Sequence, residues 1–153
     1  MCPARSPSHR GSGEDGLLTS AEILEMDLQA ELAILSACDT GRGRITGDGV
    51  VGLSRALITA GVPSVMVSLW AVNDNSTSVL MQRFYEFLAS GELTKAQALR
   101  QAQLSLLYDE DTETRLAAIR AGAPLRLRTE IAGLAGYQQP YHWAPFVLMG
   151  DGS

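Results

Sequence analysis

The segment AILSACDTGRG, residues 33–43, joins an apolar run to a loop rich in glycine. Together with Leu32, the start of this segment predicts a buried strand over Leu32–Ser36. Cys38 follows the strand directly and is one of only two cysteines in the chain, the other being Cys2. In α/β sheets, ligands bind at the carboxyl ends of the strands. The sequence therefore places Cys38 where a functional side chain would lie.

Outward from this segment, predicted helices alternate with predicted strands. The longest predicted helix has its N-terminal cap within Asp74–Ser76 and stops at Gly91. This alternation is typical of an α/β fold with a mostly parallel central sheet that is buried on both faces. The other predicted helices cover 21–26, 50–59, 94–107 and 113–121, and the strands after the first cover 65–69 and 144–149.

Composition narrows the class of protein. The 153 residues suggest one domain, and 46% of them are hydrophobic, which is enough to build a core. A net charge of -5 argues against a nucleic-acid surface, and no apolar run reaches the roughly 18 residues of a membrane span. Residues 1–15 predict a disordered leader without a secretory signal, ahead of a domain over 16–151. Two cysteines make no disulfide framework, so we expect a cytoplasmic protein.

Cys38 has two interpretations. It is either an inert, half-buried cysteine at a strand end or a nucleophile, and free cysteine is commonly buried. A nucleophilic thiolate needs a nearby base or cation, and a glycine-rich loop could supply backbone donors for an oxyanion. The chain has only His9, in the leader, and His142, in PYHWAPF before the last strand. At this point we interpret both histidines as structural or solvated, and His142 as a packing residue away from the catalytic edge.

A second motif suggests a different function from the one that Cys38 suggests. Gly47, Gly49 and Gly52 match the G-x-G-x-x-G pattern that binds dinucleotides at the start of a helix. The context fits poorly, because these glycines do not follow the first strand at once. No acidic residue closes the next strand either. We therefore interpret the match as accidental and keep nucleotide binding as a weaker alternative.

Four ordered segments together resemble the CHAT domain family, which are caspase-like cysteine peptidase domains in the clan of caspases and separase. The resemblance covers nearly everything from Asp15 to Asp151. It implies a caspase-like three-layer α/β sandwich with a mostly parallel central sheet. Domains of this family usually follow tetratricopeptide repeats. The segments that carry the resemblance are LSACDTGRG, GDGVVGLSRALITAGVPSVMVSLWAVND, ALRQAQLSLL and PYHWAPFVLMGD.

The resemblance implies roles for two residues. Cys38 matches the nucleophile, and Asp74 matches an aspartate that shapes a pocket for a basic substrate residue, although an N-cap role would also explain Asp74. No cofactor and no metal are implied. In the family, a histidine followed by glycine precedes the cysteine at the end of an earlier strand. His9 has no apolar run before it, so we expect the C-terminal half of the domain, with its N-terminal strands missing.

The function expected from the sequence is therefore a fragment of a CHAT-type cysteine endopeptidase. It would carry the nucleophile without the catalytic histidine segment and would be inactive alone. Its partners would be a protein or peptide substrate and a tetratricopeptide-repeat region or a partner chain that supplies the missing half. No nucleic acid and no membrane are expected. The alternative is a non-catalytic interaction module that pairs with a partner chain.

Overall fold

A computed structural model describes residues 18–36, 47–108, 110–123 and 136–153, with the backbone alone for 47–50. The predicted leader and Cys38 lie outside these residues. The chain has mixed α and β structure. In order, its elements are α1 (Ser20–Leu24), β1 (Ala33–Leu35), α2 (Gly47–Thr59), β2 (Ser64–Ser68), α3 (Asp74–Ala89), α4 (Lys95–Tyr108), α5 (Thr112–Arg120), α6 (Pro140–Trp143) and β3 (Phe146–Gly150).

The three strands form one sheet in the order β1-β2-β3. β1 and β2 are parallel, with Leu35 opposite Val67, which confirms the parallel pair predicted from the sequence. β3 is antiparallel to β2 and begins with Phe146 opposite Ser68. In the described residues the sheet is thus mixed rather than mostly parallel. The reason is that α6 returns the chain to the end of the sheet where β2 finishes, so β3 has to run backwards.

Helices cover both faces of this sheet. α3 and α4 pack against one face, where the fully buried large side chains include Phe84 and Phe87 of α3 and Phe146 of β3. α1 and α2 pack against the other face, where the buried side chains include Ile23 of α1, Ala56 of α2 and Val62 in the turn before β2. The central strand β2 is buried along its whole length, whereas β1 is half-buried. Apolar side chains on both sides of each strand explain why the sheet needs two helical layers.

Capping side chains set the starts of the helices. The sequence predicts a cap at Thr19 or Ser20 with Glu22 in the first turn, and in the structure Thr19 and Glu22 form a reciprocal capping box at α1. At α3 the N-cap is Asn73, so the prediction of a cap within Asp74–Ser76 was one residue late. α3 ends before Gly91, whose φ of 70° suits a residue without a side chain.

The last strand starts later than predicted. Residues 140–143 form the short helix α6, with Pro140 at its first position, where proline needs no hydrogen-bond partner for its nitrogen. β3 therefore begins at Phe146 rather than at Ala144. Among the described helices, none combines the length and the apolar character that crossing a bilayer requires.

Candidate functional site at the carboxyl end of the sheet

The topology brings three chain segments to one end of the sheet. Because β1 and β2 are parallel, both finish at this end, which we call the carboxyl end. β3 is antiparallel, so it begins there, with Phe146 beside Ser68. The segment that leaves β2 carries Trp70 and Asp74, and the segment that enters β3 carries His142. The chain that leaves β1 leads to Cys38, which lies outside the described residues and whose placement stays a prediction.

Asp74 is the first residue of α3, and its side chain is exposed. The N-cap role that the sequence offered for it belongs to Asn73, whose Oδ1 accepts hydrogen bonds from the backbone nitrogens of Asn75 at 3.0 Å and Ser76 at 3.2 Å. Asn73 is therefore the N-cap of α3, and Asp74 is the residue that follows it. Its carboxylate stands at the exposed first turn of a helix, where a negative charge is favourable.

His142 lies at the same end of the sheet. Its Nδ1 is 3.1 Å from the hydroxyl oxygen of Ser76, a fully buried residue in the first turn of α3. The rings of Tyr137 and Tyr141 contact the imidazole edge-on, each with a centroid distance of 5.3 Å. The sequence-based interpretation that His142 lies away from this edge was wrong, because β3 runs antiparallel and so starts at the carboxyl end.

The hydrogen bonds around Ser76 indicate which imidazole nitrogen carries a proton. The Ser76 hydroxyl donates to the backbone carbonyl of Asn73 at 3.1 Å. A hydroxyl has one proton, so its oxygen is left to accept the Nδ1–H of His142. In the neutral ring, Nε2 then carries the lone pair.

The backbone that follows His142 is held by a side chain of α4. The side-chain amide of Gln103 donates to the carbonyl of Trp143 at 3.1 Å and to that of Phe146 at 3.0 Å. Trp143 donates its indole N–H to the carbonyl of Gln138 at 3.1 Å. These bonds fix α6 against the rest of the domain, so the imidazole sits on an anchored turn.

Large apolar side chains are exposed beside these polar groups. Leu69 is 50% exposed, Trp70 39% and Tyr141 49%. The indole N–H of Trp70 donates to the backbone carbonyl of Tyr141 at 3.3 Å, which links the segment after β2 to the segment before β3. These exposed side chains lie in the same two segments as the Asp74 carboxylate and the His142 imidazole.

Sequence reasoning missed Ser76 and Gln103. Both are polar residues in amphipathic helices, and nothing in their spacing distinguishes them from solvated positions. The signal that was available is positional. Ser76 lies in the first turn of the helix that follows β2, and a first-turn residue of that helix stands at the carboxyl end of the sheet.

The glycine pattern does not form a nucleotide site in the described residues. α2 already begins at Gly47, so Gly47 and Gly49 are helical rather than part of a turn that precedes the helix. The third glycine of the fingerprint should allow close packing of helix on strand. A Cβ added at Gly52 would meet no atom within 4 Å, which removes that reason for a glycine.

The structure also has an open cavity of about 610 Å³ between α3 and α5. Its lining includes Ser90 and Arg120. Since α3 is 16 residues long, its two ends lie about 24 Å apart. This cavity is at the opposite end of α3 from Asp74 and does not belong to the carboxyl-end site. Within the described residues, no three His, Cys, Asp or Glu side chains group closely enough to hold a metal ion.

The fold and this site define a mixed α/β domain with Asp74 and His142 at the carboxyl end of its sheet. The model of the CHAT domain family matches residues 4–151. The chain belongs to the CHAT domain family.

Its curated relatives are much longer. Human tetratricopeptide repeat protein 28 is 36% identical over 135 residues, which cover 88% of this chain and 4% of that protein. Mouse tetratricopeptide repeat protein 28 is 39% identical over 75 residues, which cover 49% of this chain and 3% of that protein. The chain thus spans only a small part of these relatives. No solved structure matches it.

Proposed function

We propose that this chain is the nucleophile-bearing part of a caspase-like cysteine endopeptidase domain of the CHAT type. The nucleophile in this proposal is Cys38. The observation that carries it is the parallel pairing of β1 with β2. The chain that leaves β1 toward Cys38 starts at the same end of the sheet as Asp74 and His142, and such an arrangement supports a peptidase site.

The proposed reaction is acyl transfer. The thiolate of Cys38 attacks the carbonyl carbon of a peptide bond, the carbon–nitrogen bond breaks, and the amine leaves with a proton. Water then hydrolyses the thioester and releases the acid. In this scheme the carboxylate of Asp74 binds a lysine or arginine side chain before the scissile bond, through a charge-assisted hydrogen bond. The aromatic surface of Trp70 and Tyr141 supports the binding of a peptide beside it.

The family's own histidine segment has no counterpart in this sequence, because the one histidine before Cys38 follows no apolar run. We therefore propose that the chain by itself turns peptides over slowly or not at all. Loss of one catalytic residue commonly lowers the rate by several orders of magnitude. A reactive thiol and slow turnover are compatible, because formation of the thioester and its hydrolysis are separate steps.

The matched relatives are named tetratricopeptide repeat proteins. We propose that this domain likewise works with a tetratricopeptide-repeat region, in its own chain or in a partner chain, which would present a protein substrate. A reducing cytoplasm is the compartment that this proposal favours, because an unpaired thiol persists there.

The test is covalent labelling. A peptidyl chloromethyl ketone with lysine before the reactive group should modify Cys38, and mass spectrometry would locate the adduct. Cys38→Ala should abolish the adduct, and Cys2→Ala is the matched control that should leave it unchanged. Fluorogenic peptides measured in parallel would report turnover.

The outcomes separate the candidate functions. Labelling at Cys38 that prefers lysine over glutamate in the probe supports the peptidase, and Asp74→Asn should weaken that preference. Equal labelling of Cys2 and Cys38, or none at either, would contradict the peptidase and favour the non-catalytic interaction module. Fast turnover that Cys38→Ala abolishes would show that the chain carries a complete site.

A further inference from the structure

We propose that the groove between α3 and α5 binds a lysine or arginine side chain that a partner protein presents. The groove is the open cavity of about 610 Å³ that lies at the opposite end of α3 from Asp74. It shares no residue with the carboxyl-end site, so this inference goes beyond the proposed peptidase function and does not depend on it. It rests on the shape of the groove, on its apolar floor and on the charge of its rim.

Two side-chain bridges mark the ends of the groove. At one end the hydroxyl of Thr112 donates to a carboxylate oxygen of Glu86 at 2.8 Å. At the other end Nε of Arg120 donates to a carboxylate oxygen of Glu92 at 2.8 Å. Thr112 and Arg120 are the first and last residues of α5, so the two bridges lie about 12 Å apart along the helix. A groove of this length and volume has room for a side chain together with the backbone to which it is attached.

The floor of the groove is apolar. Ala89 of α3 and Leu116 of α5 both line it. Leu116 is only 5% exposed and belongs to the hydrophobic core, which makes the floor a fixed surface. Lysine and arginine lay their methylene groups on such surfaces while the charged end of the side chain stays among polar groups. A small ion would leave this floor uncovered, whereas a long cationic side chain covers it.

The rim of the groove is acidic. Its lining residues include three carboxylates, those of Glu86, Asp111 and Glu113, and one guanidinium, that of Arg120. The guanidinium forms its salt bridge with Glu92, which lies outside the lining. Within the part of the chain that the structure describes, no salt bridge joins any of the three rim carboxylates to a lysine or an arginine. The rim therefore has a net negative charge.

Neutral donors hold two of these carboxylates without cancelling their charge. Glu86 accepts from the Thr112 hydroxyl, and Asp111 accepts from the backbone N–H and the hydroxyl of Thr114 at 2.7 and 2.9 Å. The hydrogen bonds from Thr114 lower the pKa of the Asp111 carboxyl group below its ordinary value of 3.8, so this group is charged at neutral pH. A negative rim beside an apolar floor is complementary to a cationic side chain with an apolar stem.

The experiment is a titration of the isotope-labelled chain, followed by NMR through its backbone amide signals. The probe is an acetylated peptide amide of sequence Ala-Leu-Lys-Leu-Ala, and the same peptide with acetyl-lysine is the uncharged control. We expect the charged probe at millimolar concentration to shift the amides of Thr112 and Leu116, and the control to leave them in place. Because one exposed charge contributes little, Glu113→Gln should weaken binding roughly threefold, and the double variant Glu86→Gln/Glu113→Gln roughly tenfold.

The controls separate the groove from the rest of the surface. Glu31→Gln removes an exposed carboxylate outside the groove and should leave the affinity unchanged. Cys38→Ala should also bind the probe like the parent, so the groove and the proposed peptidase function are tested separately. Shifts confined to Asn73 and Asn75 would place the binding at the carboxyl end and overturn the inference. Equal binding of the acetyl-lysine peptide, an equal loss in Glu31→Gln, or equally tight binding of free Nα-acetyl-lysine amide would overturn it as well.

Discussion

The two ends of the sheet are built in opposite ways. At the amino end of β2 the backbone closes on itself, because Asp151 donates its N–H to the carbonyl of Pro63 at 2.8 Å. Leu28 donates to Ala60 at 2.7 Å at the same end. At the carboxyl end the chain leaves β2 with exposed Leu69 and Trp70. Main-chain hydrogen bonds occur at both ends, since Leu69 donates its N–H to the carbonyl of Pro145 at 2.9 Å, but the carboxyl end also presents large apolar side chains to solvent.

Two glycines show how closely the backbone packs at the amino end of β2, which we call the closed end; the carboxyl end is the open end. Gly61 and Gly150 have φ values of 109° and 90°. A Cβ at Gly61 would lie 2.6 Å from the carbonyl oxygen of Leu28, and one at Gly150 would lie 2.2 Å from that of Pro63. The difference between the two ends shows that close main-chain packing stabilises the domain at one end, whereas the other end keeps side chains available for a ligand.

The largest expected effect is therefore at the closed end. Gly150→Ala should destabilise the fold by about 3 kcal/mol or more, because it combines a backbone clash with a positive φ. Chemical denaturation would measure the free energy of unfolding. Gly52→Ala is the matched control: its Cβ meets nothing and it lies within α2, so it should stabilise the chain by up to roughly 1 kcal/mol. Similar changes in the free energy of unfolding for the two variants would contradict the close packing proposed for the closed end.

At the open end the largest effect on stability should come from a cap rather than from a charged side chain. Asn73→Ala removes the acceptor of two backbone N–H groups and should cost about 1 kcal/mol of unfolding free energy. Asp74→Asn keeps the side-chain shape and should cost less than about 1 kcal/mol, while it weakens the lysine preference in the labelling experiment. Thermal denaturation of both variants gives the ranking. A greater loss for Asp74→Asn would return the capping role to Asp74.

Replacing an exposed apolar side chain at the open end should have a smaller effect on stability. Tyr141→Ser should change the free energy of unfolding by about 0.5 kcal/mol or less, because the side chain is already half exposed. It should, however, reduce the binding of a hydrophobic dye and any self-association of the chain. From the sequence we also expect association through an uncovered sheet edge, and β1 is the half-buried edge strand in the described residues. A monomer that binds no dye would argue against both sources of association.

The smallest effect concerns pH at the closed end. Hydrogen bonds from Ser153 lower the pKa of the Asp151 carboxyl group below its ordinary value of 3.8, and Lys95 adds a favourable charge. A carboxyl whose pKa is lower in the folded state stabilises the fold above the unfolded pKa, and this contribution is lost as the pH falls through the folded pKa. Asp151→Asn should therefore flatten the fall in stability below about pH 4. Unfolding free energies measured across that range should converge for the two chains as the pH drops. If the unfolding free energies of the two chains instead fell in parallel with pH, the lowered pKa of Asp151 would be contradicted.

Much of the fold was accessible from the sequence because its signals are local. The apolar stripe of the long helix predicted its buried face, and Leu80, Phe84 and Phe87 are indeed fully buried. Short apolar runs predicted the first two strands, and the observed ends of these strands differ from the predicted ends by one residue. The cap of α1 was expected at Thr19 or Ser20 with Glu22 in the first turn, and the structure has it at Thr19.

The direction of β3 was not accessible in this way. Periodicity identifies a strand but does not say from which end it enters the sheet, and the expectation of a mostly parallel sheet left His142 at the wrong end. Its partner Ser76 is 66 residues away in the chain. A contact at that separation depends on tertiary packing, which local patterns do not encode. Cys38 and Asp74 came from the resemblance and stay predictions, whereas the contact between Ser76 and His142 needed the structure.

The central claim is that the carboxyl end of the sheet is a peptidase site shared by Cys38 and Asp74. The most direct measurement is a crystal structure of the chain bound covalently to the lysyl chloromethyl ketone. The account predicts an adduct on Sγ of Cys38, with the lysine side chain directed at Asp74. The two residues should lie roughly 8–14 Å apart, the span that one bound peptide residue bridges. A Cys38 buried in the core and unmodified, or one that opens on a different edge from Asp74, would contradict the account.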